Sequence, residues 1–122
     1  MLYYTGNQKI LLAIEPVDFR KGAQSLAGLC REQLRLSTDM CTWFVFTNRR
    51  RTAVKILSFD ETGCWLATKY FARGKLAFWP TSYEQVSLLS ADELKLIVNQ
   101  RHPIAANYLS SFGQSSSNHL RV

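Results

Sequence analysis

Short apolar runs separated by polar punctuation divide this chain into strands and two helices. Ile10-Leu11-Leu12-Ala13-Ile14 is a continuous apolar run closed by Glu15-Pro16, the pattern of a buried strand. Beyond it the period changes. At about 100° per residue, Phe19, Ala23, Leu26, Ala27, Cys30 and Leu34 fall on one face, which predicts an amphipathic helix from Asp18 to Arg35. Asp18 is placed to cap it, because a carboxylate at the N-cap accepts from the free amides of the first turn. Gly28 weakens the helix interior. The polar flank carries Arg20, Lys21, Arg31 and Arg35, with Glu32 the only acid beyond the cap.

From Thr42 the composition changes. Thr42-Trp43-Phe44-Val45-Phe46-Thr47 is dense in aromatic and β-branched residues and reads as a strand. It runs into Asn48-Arg49-Arg50-Arg51-Thr52, and a second strand follows from Ala53 to Phe59. Asp60-Glu61-Thr62-Gly63 forms a turn, with Gly63 suited to a bulged hairpin. A third strand is expected from Cys64 to Phe71, a tight turn at Arg73-Gly74, and a fourth strand from Leu76 to Trp79, ended by Pro80. A short strand near Gln85–Leu89 extends the sheet. Ser90-Ala91-Asp92-Glu93 is a capping box opening a helix that turns Leu94, Ile97 and Val98 inward.

The expected fold is therefore α+β: a single domain over residues 1–102, built as an antiparallel meander of four to five strands packed by the Asp18–Arg35 helix, with a C-terminal helix. Residues 103–122 are rich in Ser and Asn with no sustained period, which predicts a polar, flexible tail with Ile104 and Tyr108-Leu109 as its docking points. A chain of 122 residues, 47% hydrophobic and 20% charged, suits one domain with a buried core. Its longest apolar run falls far short of the ~20 residues that span a bilayer, and no signal-peptide pattern precedes it. A cytoplasmic location without membrane association is the expectation. Cys30, Cys41 and Cys64 are odd in number and widely spaced, so free thiols are expected rather than a disulfide framework or a zinc site.

Charge adds a functional direction. Fifteen Lys and Arg against nine Asp and Glu give +6, and the pI is near 9.5. Successive turns of a meander lie at alternate ends of its sheet, so Arg49-Arg50-Arg51 and Arg73-Gly74-Lys75 share one end, and Asp60-Glu61 goes to the other. Such an edge can hold phosphates, and the arginine fork suits phosphate oxygens bidentately. Arg49, Arg50, Arg51, Arg73 and Lys75 are the leading candidates for nucleic-acid contact, with Arg20, Lys21, Lys55 and Lys69 in support. Whether Lys55 and Lys69 share a face depends on the register of the Asp60–Gly63 turn. Trp43, Trp65 and Trp79 occupy strand positions and are expected in the core rather than stacked on bases.

Catalytic chemistry finds no home in this sequence. Metal-assisted cleavage or strand transfer needs converging carboxylates, whereas most acids here are explained by turn and cap roles. No Gly-rich phosphate loop, nucleophile signature or usefully spaced histidine is present. A non-enzyme without cofactor, metal or small-molecule substrate is expected; Asp18, Asp60 and Glu61 are the only acids available to a rival reading as a metal-dependent nuclease.

The segment Pro16-Val17-Asp18-Phe19-Arg20-Lys21-Gly22 also resembles a known family. The match continues through Phe44-Val45-Phe46-Thr47-Asn48-Arg49-Arg50, Lys55-Ile56-Leu57, Asp60, Trp65, Lys69, Arg73-Gly74 and Trp79-Pro80, over roughly residues 8–98. Together these resemble the accessory protein encoded by the second open reading frame of insertion-sequence family sixty-six, often called TnpB. The resemblance implies a role in transposition beside a separate transposase that supplies the catalytic carboxylates. Arg51 departs from the pattern, standing where the family usually has glycine. Thr68 and Tyr70 flank Lys69 where Tyr and Arg are usual, and the tail beyond Gln100 is atypical. Two functions follow as expectations: DNA binding through the basic edge, or an adaptor that docks on the transposase without touching DNA. The first expects exposed guanidinium groups on one surface, the second expects them paired with carboxylates beside an apolar patch.

Overall fold

A computed structural model of the chain describes residues 4–102. Its elements run β1 (Lys9–Ala13), α1 (Ala23–Glu32), β2 (Thr42–Thr47), β3 (Ala53–Asp60), β4 (Gly63–Tyr70), β5 (Val86–Leu89) and α2 (Ala91–Val98). The strands form one sheet in the order β4-β3-β2-β1-β5, and the whole is a single α+β domain. The expected tail over 103–122 lies outside the described residues. Among the described residues no helix is long and apolar enough to cross a membrane.

The antiparallel meander is confined to β2-β3-β4. β1 joins it in parallel, Ile10 opposite Trp43 and Leu12 opposite Val45, so the sheet is mixed rather than wholly antiparallel. Parallel neighbours need a long crossover, and α1 with its flanking loops supplies it. β5 then pairs antiparallel with the other side of β1, placing Leu89 opposite Ile10.

Each face of the sheet carries one helix. Leu26, Ala27 and Cys30 of α1 are buried against Ala13, Phe44, Phe46 and Leu57. Leu94 and Ile97 of α2 are buried with Ile10, Leu12, Trp43, Val45 and Val54. Residues of opposite parity on one strand thus feed different cores, as the pleat requires. Burial pushes the Cys30 thiol up to about 11 against a small opposing pull from Arg31. All three cysteines are free.

Two local expectations need correction. The first helix begins at Ala23 behind Gly22, which caps it without a side-chain bond; Asp18 instead closes an earlier turn, accepting from the backbone N–H of Arg20 at 2.9 Å. Short polar side chains satisfy either arrangement, which is why the sequence pattern does not separate them. Leu76–Trp79 is no strand. Leu76 and Trp79, three positions apart, are buried while Ala77 is exposed, which is not the two-residue alternation of a strand, and the segment belongs to a strap running from β4 at one sheet edge to β5 at the other. Leu76 N–H donates to Arg51 O at 2.8 Å, and the Trp79 indole donates to Ile14 O at 3.1 Å. The second helix forms as expected: Ser90 and Glu93 make both bonds of the capping box.

Candidate nucleic-acid interface

Three loops meet at one end of the sheet. The first is the β2–β3 turn. Arg51 N–H donates to Asn48 O at 3.0 Å, Thr52 N–H donates to Asn48 Oδ1 at 2.9 Å, and Asn48 Nδ2 donates to Thr52 Oγ1 at 2.9 Å. Asn48 therefore fixes the turn from both its backbone and its side chain. Arg49 and Arg50 stand exposed at the tip. Arg51 is left-handed, with φ of 60°, a conformation that L side chains adopt at a cost and glycine does not.

The second loop is Pro16–Gly22, brought alongside because β1 and β2 run parallel. Val17 N–H donates to Thr47 O at 2.9 Å, and Lys21 N–H to Asp18 O at 3.0 Å. The Asp18 carboxylate accepts twice from Arg20 Nε, at 3.1 and 3.0 Å, and once from Nη2 at 2.6 Å. Bonds from the Arg20 side chain, then from its backbone N–H, hold the Asp18 carboxyl down to about 2. The same side-chain bond raises the Arg20 pKa.

Beneath this loop lies Lys55. It is only 6% exposed, and its ammonium donates to Phe19 O at 2.8 Å and Lys21 O at 2.9 Å. It also sits 4.7 Å from the centroid of the Phe19 ring, within cation–π range. Burial lowers its pKa, and Asp18 pulls it partly back. Lys55 thus fastens the loop that carries Asp18, Arg20 and Lys21.

The third loop is Arg73-Gly74-Lys75. Gly74 is left-handed, with φ of 67°. Gln100 Nε2, just beyond α2, donates to Arg73 O at 2.8 Å and Lys75 O at 2.9 Å. The Leu76–Arg51 bond and a bond from Phe71 N–H to Thr52 O at 3.0 Å join this loop to the arginine turn.

Arg20, Lys21, Arg49, Arg50, Arg51, Arg73 and Lys75 therefore share this end, all exposed except half-buried Arg51. Asp18–Arg20 is the ion pair at this end; among the described residues no carboxylate forms an ion pair with the other six, although Lys21 lies within the field of Asp18. Lys69 is elsewhere. The two-residue turn pairs Asp60 with Gly63, and that register sets Lys69 opposite Val54 while Lys55 opposes Thr68, so the two lysines lie on opposite faces. Lys69 Nζ donates to Val98 O at 2.7 Å, closing the C-terminal end of α2, where a cation is favoured. Trp43 and Trp79 are core residues, whereas Trp65 is 47% exposed; its indole donates to Asp60 Oδ2 at 2.8 Å.

The Pro16–Gly22 loop, the β2–β3 turn and the end of β4 flank an open cleft of about 950 Å³ lined by Pro16, Val17, Asp18, Phe19, Arg20, Asn48, Arg49, Arg50 and Tyr70. Tyr70 is a member that charge alone does not point to. It ends β4 opposite Ala53 and is 69% exposed; strand alternation sets it on the same face as Lys55. Asp60 and Glu61 lie at the far end of β3 and β4. Asp60 is occupied by its own turn, with the Thr62 N–H and then the Trp65 indole lowering its pKa. Among the described residues no group of three or more His, Cys, Asp or Glu is arranged to hold a metal ion.

A family model described as IS66 Orf2 like protein matches residues 8–103. The chain belongs to that family. The match takes in all three loops of the basic end, and it places this IS66 Orf2-like protein among the accessory proteins of insertion-sequence transposition. The chain is 31% identical over 90 residues to the uncharacterized protein y4jC of Sinorhizobium fredii, covering 74% of this chain and 76% of that one. It is 30% identical over 100 residues to y4hO of the same organism, covering 80% and 86%. No solved structure matches it significantly.

Proposed function

We propose that this accessory protein binds DNA through the basic end of its sheet, alongside a separate transposase of the same element that carries out the chemistry. The observation that carries the reading is the set of guanidinium and ammonium groups on three stitched loops, with no carboxylate partner among the described residues except the one held by Arg20. Solvated turn tips are often charged, but here three tips from distant parts of the chain present the same sign side by side. Exposed cations on rigid turns contact phosphates, displacing condensed counterions, and such contacts orient a protein on DNA without reading sequence.

The test is anisotropy of labelled duplex across a salt series, for the native protein and an R49A/R50A/R51A variant, on element-end and scrambled sequences. Each phosphate contact contributes about 0.9 to the log–log salt slope, so the variant is expected to lose about 2.7. Preference for element ends would add sequence readout. Absence of binding by the native protein at low salt would overturn the proposal and favour an adaptor, to be pursued by pull-down with the transposase.

A further inference from the structure

We infer that the cleft beside the arginine turn takes an unpaired nucleotide, so that the protein prefers DNA with a single-stranded end over a blunt duplex. This deepens the DNA reading above and rests on it. A volume of about 950 Å³ is of the order of sites that enclose small ligands, roughly 300–1,000 Å³. A duplex keeps its base faces stacked on one another, so only an unpaired base can lay its face on a protein side chain there.

The cleft wall has the two components that single strands use. Tyr70 is an aromatic side chain left 69% exposed on a strand whose other large aromatic, Trp65, is tied to Asp60. Arg49 and Arg50 line the same cleft without ion-pair partners among the described residues. An aromatic platform next to cations is how a base is stacked while its phosphate is neutralised, and the π-face makes this tolerant of sequence. One carboxylate, Asp18, is also on the wall. It would repel a phosphate if free, but both its oxygens accept from Arg20, which leaves the Arg49–Arg50 side as the phosphate wall. Tyr70 belongs to neither core cluster.

The experiment compares matched duplexes, blunt and with a short single-stranded overhang, by anisotropy with the unmodified protein. Stacking is worth about 1–3 kcal/mol per base, so the overhang is expected to bind about 5- to 150-fold tighter. Tyr70→Ala is expected to erase that preference and Tyr70→Phe to keep it. A 2-aminopurine in the overhang should be quenched by the native protein and the Phe variant, and not by the Ala variant. Equal binding of blunt and overhanging duplexes, with the salt slope still dependent on Arg49–Arg51, overturns the cleft inference and leaves the duplex reading standing. Failure of the native protein to bind either DNA at low salt overturns both.

Discussion

Lys55→Met isolates the fastening of the Pro16–Gly22 loop. The substitution keeps an unbranched side chain of similar length and removes the ammonium. Two hydrogen bonds, to Phe19 O and Lys21 O, are lost, together with the contact over the Phe19 ring. Bonds from a charged donor contribute about 1.5–3 kcal/mol each. Relief of the desolvation that lowers this lysine's pKa offsets part of the loss, and the carbonyls lie on a surface loop that water can reach. The net destabilisation is about 2 kcal/mol, below the roughly 3–6 kcal/mol that two such bonds supply before that offset. For a domain of this size that is a fall in Tm of roughly 8–16 °C. Urea denaturation should show a lower midpoint with an unchanged slope, since the same surface unfolds.

The sign of the pH response follows from the same group. The folded pKa lies below the ordinary 10.5, so the unfolded chain binds more protons in the window just beneath 10.5. Native stability therefore gains a contribution as pH rises through that window. Lys55→Met should flatten it. A variant within about 0.5 kcal/mol of native stability, the usual scatter of surface substitutions, would refute the claim that this ammonium holds the loop.

Other perturbations test the basic end separately. Arg51→Gly relieves a left-handed arginine and is expected to stabilise the fold by about 1 kcal/mol, while lowering the salt slope of DNA binding by about 0.9; unchanged thermal stability would argue that the turn carries no strain. Asp18→Asn removes the carboxylate from the cleft and releases Arg20, so duplex affinity should rise and the salt slope steepen by about 0.9. The same variant tests acid stability. The Asp18 carboxyl is held at about 2 against an ordinary 3.8, so its contribution is complete above about 3.8 and lost as pH falls through about 2; urea midpoints that fall identically in the native protein and the Asp18→Asn variant over that window would contradict the assignment.

What the sequence reveals is mostly what is local. The β2-β3-β4 meander is legible because alternation, turn residues and pairing lie within a few positions of one another, and the same logic puts the Arg49–Arg51 and Arg73–Lys75 turns at one end. The parallel register of β1 is not, because a continuous run such as Ile10–Ile14 specifies burial on both faces and says little about direction. Leu76–Trp79 imitates a strand because it is a short apolar run bounded by the Arg73-Gly74 turn and Pro80, a composition that a strap crossing the sheet shares. Lys55 reads from the sequence as a strand lysine available to DNA, since its two carbonyl partners lie 36 and 34 positions away. Tyr70 stands out in the sequence only as a departure from the family pattern; its place in the cleft needs the β4 register.

The strand that begins the sheet has its outer neighbour at residues 86–89, where Leu89 closes against Ile10. During synthesis, β1 can pair with β2 and yet wait, one edge bare, until nearly the whole domain has left the ribosome. An unpaired apolar edge is a template for pairing with other chains, and long-range closure of this kind is slow. A coding sequence interrupted before Val86 would thus yield not a shorter accessory protein but an aggregation-prone chain, so a nonsense mutation late in this element would act as one at its start.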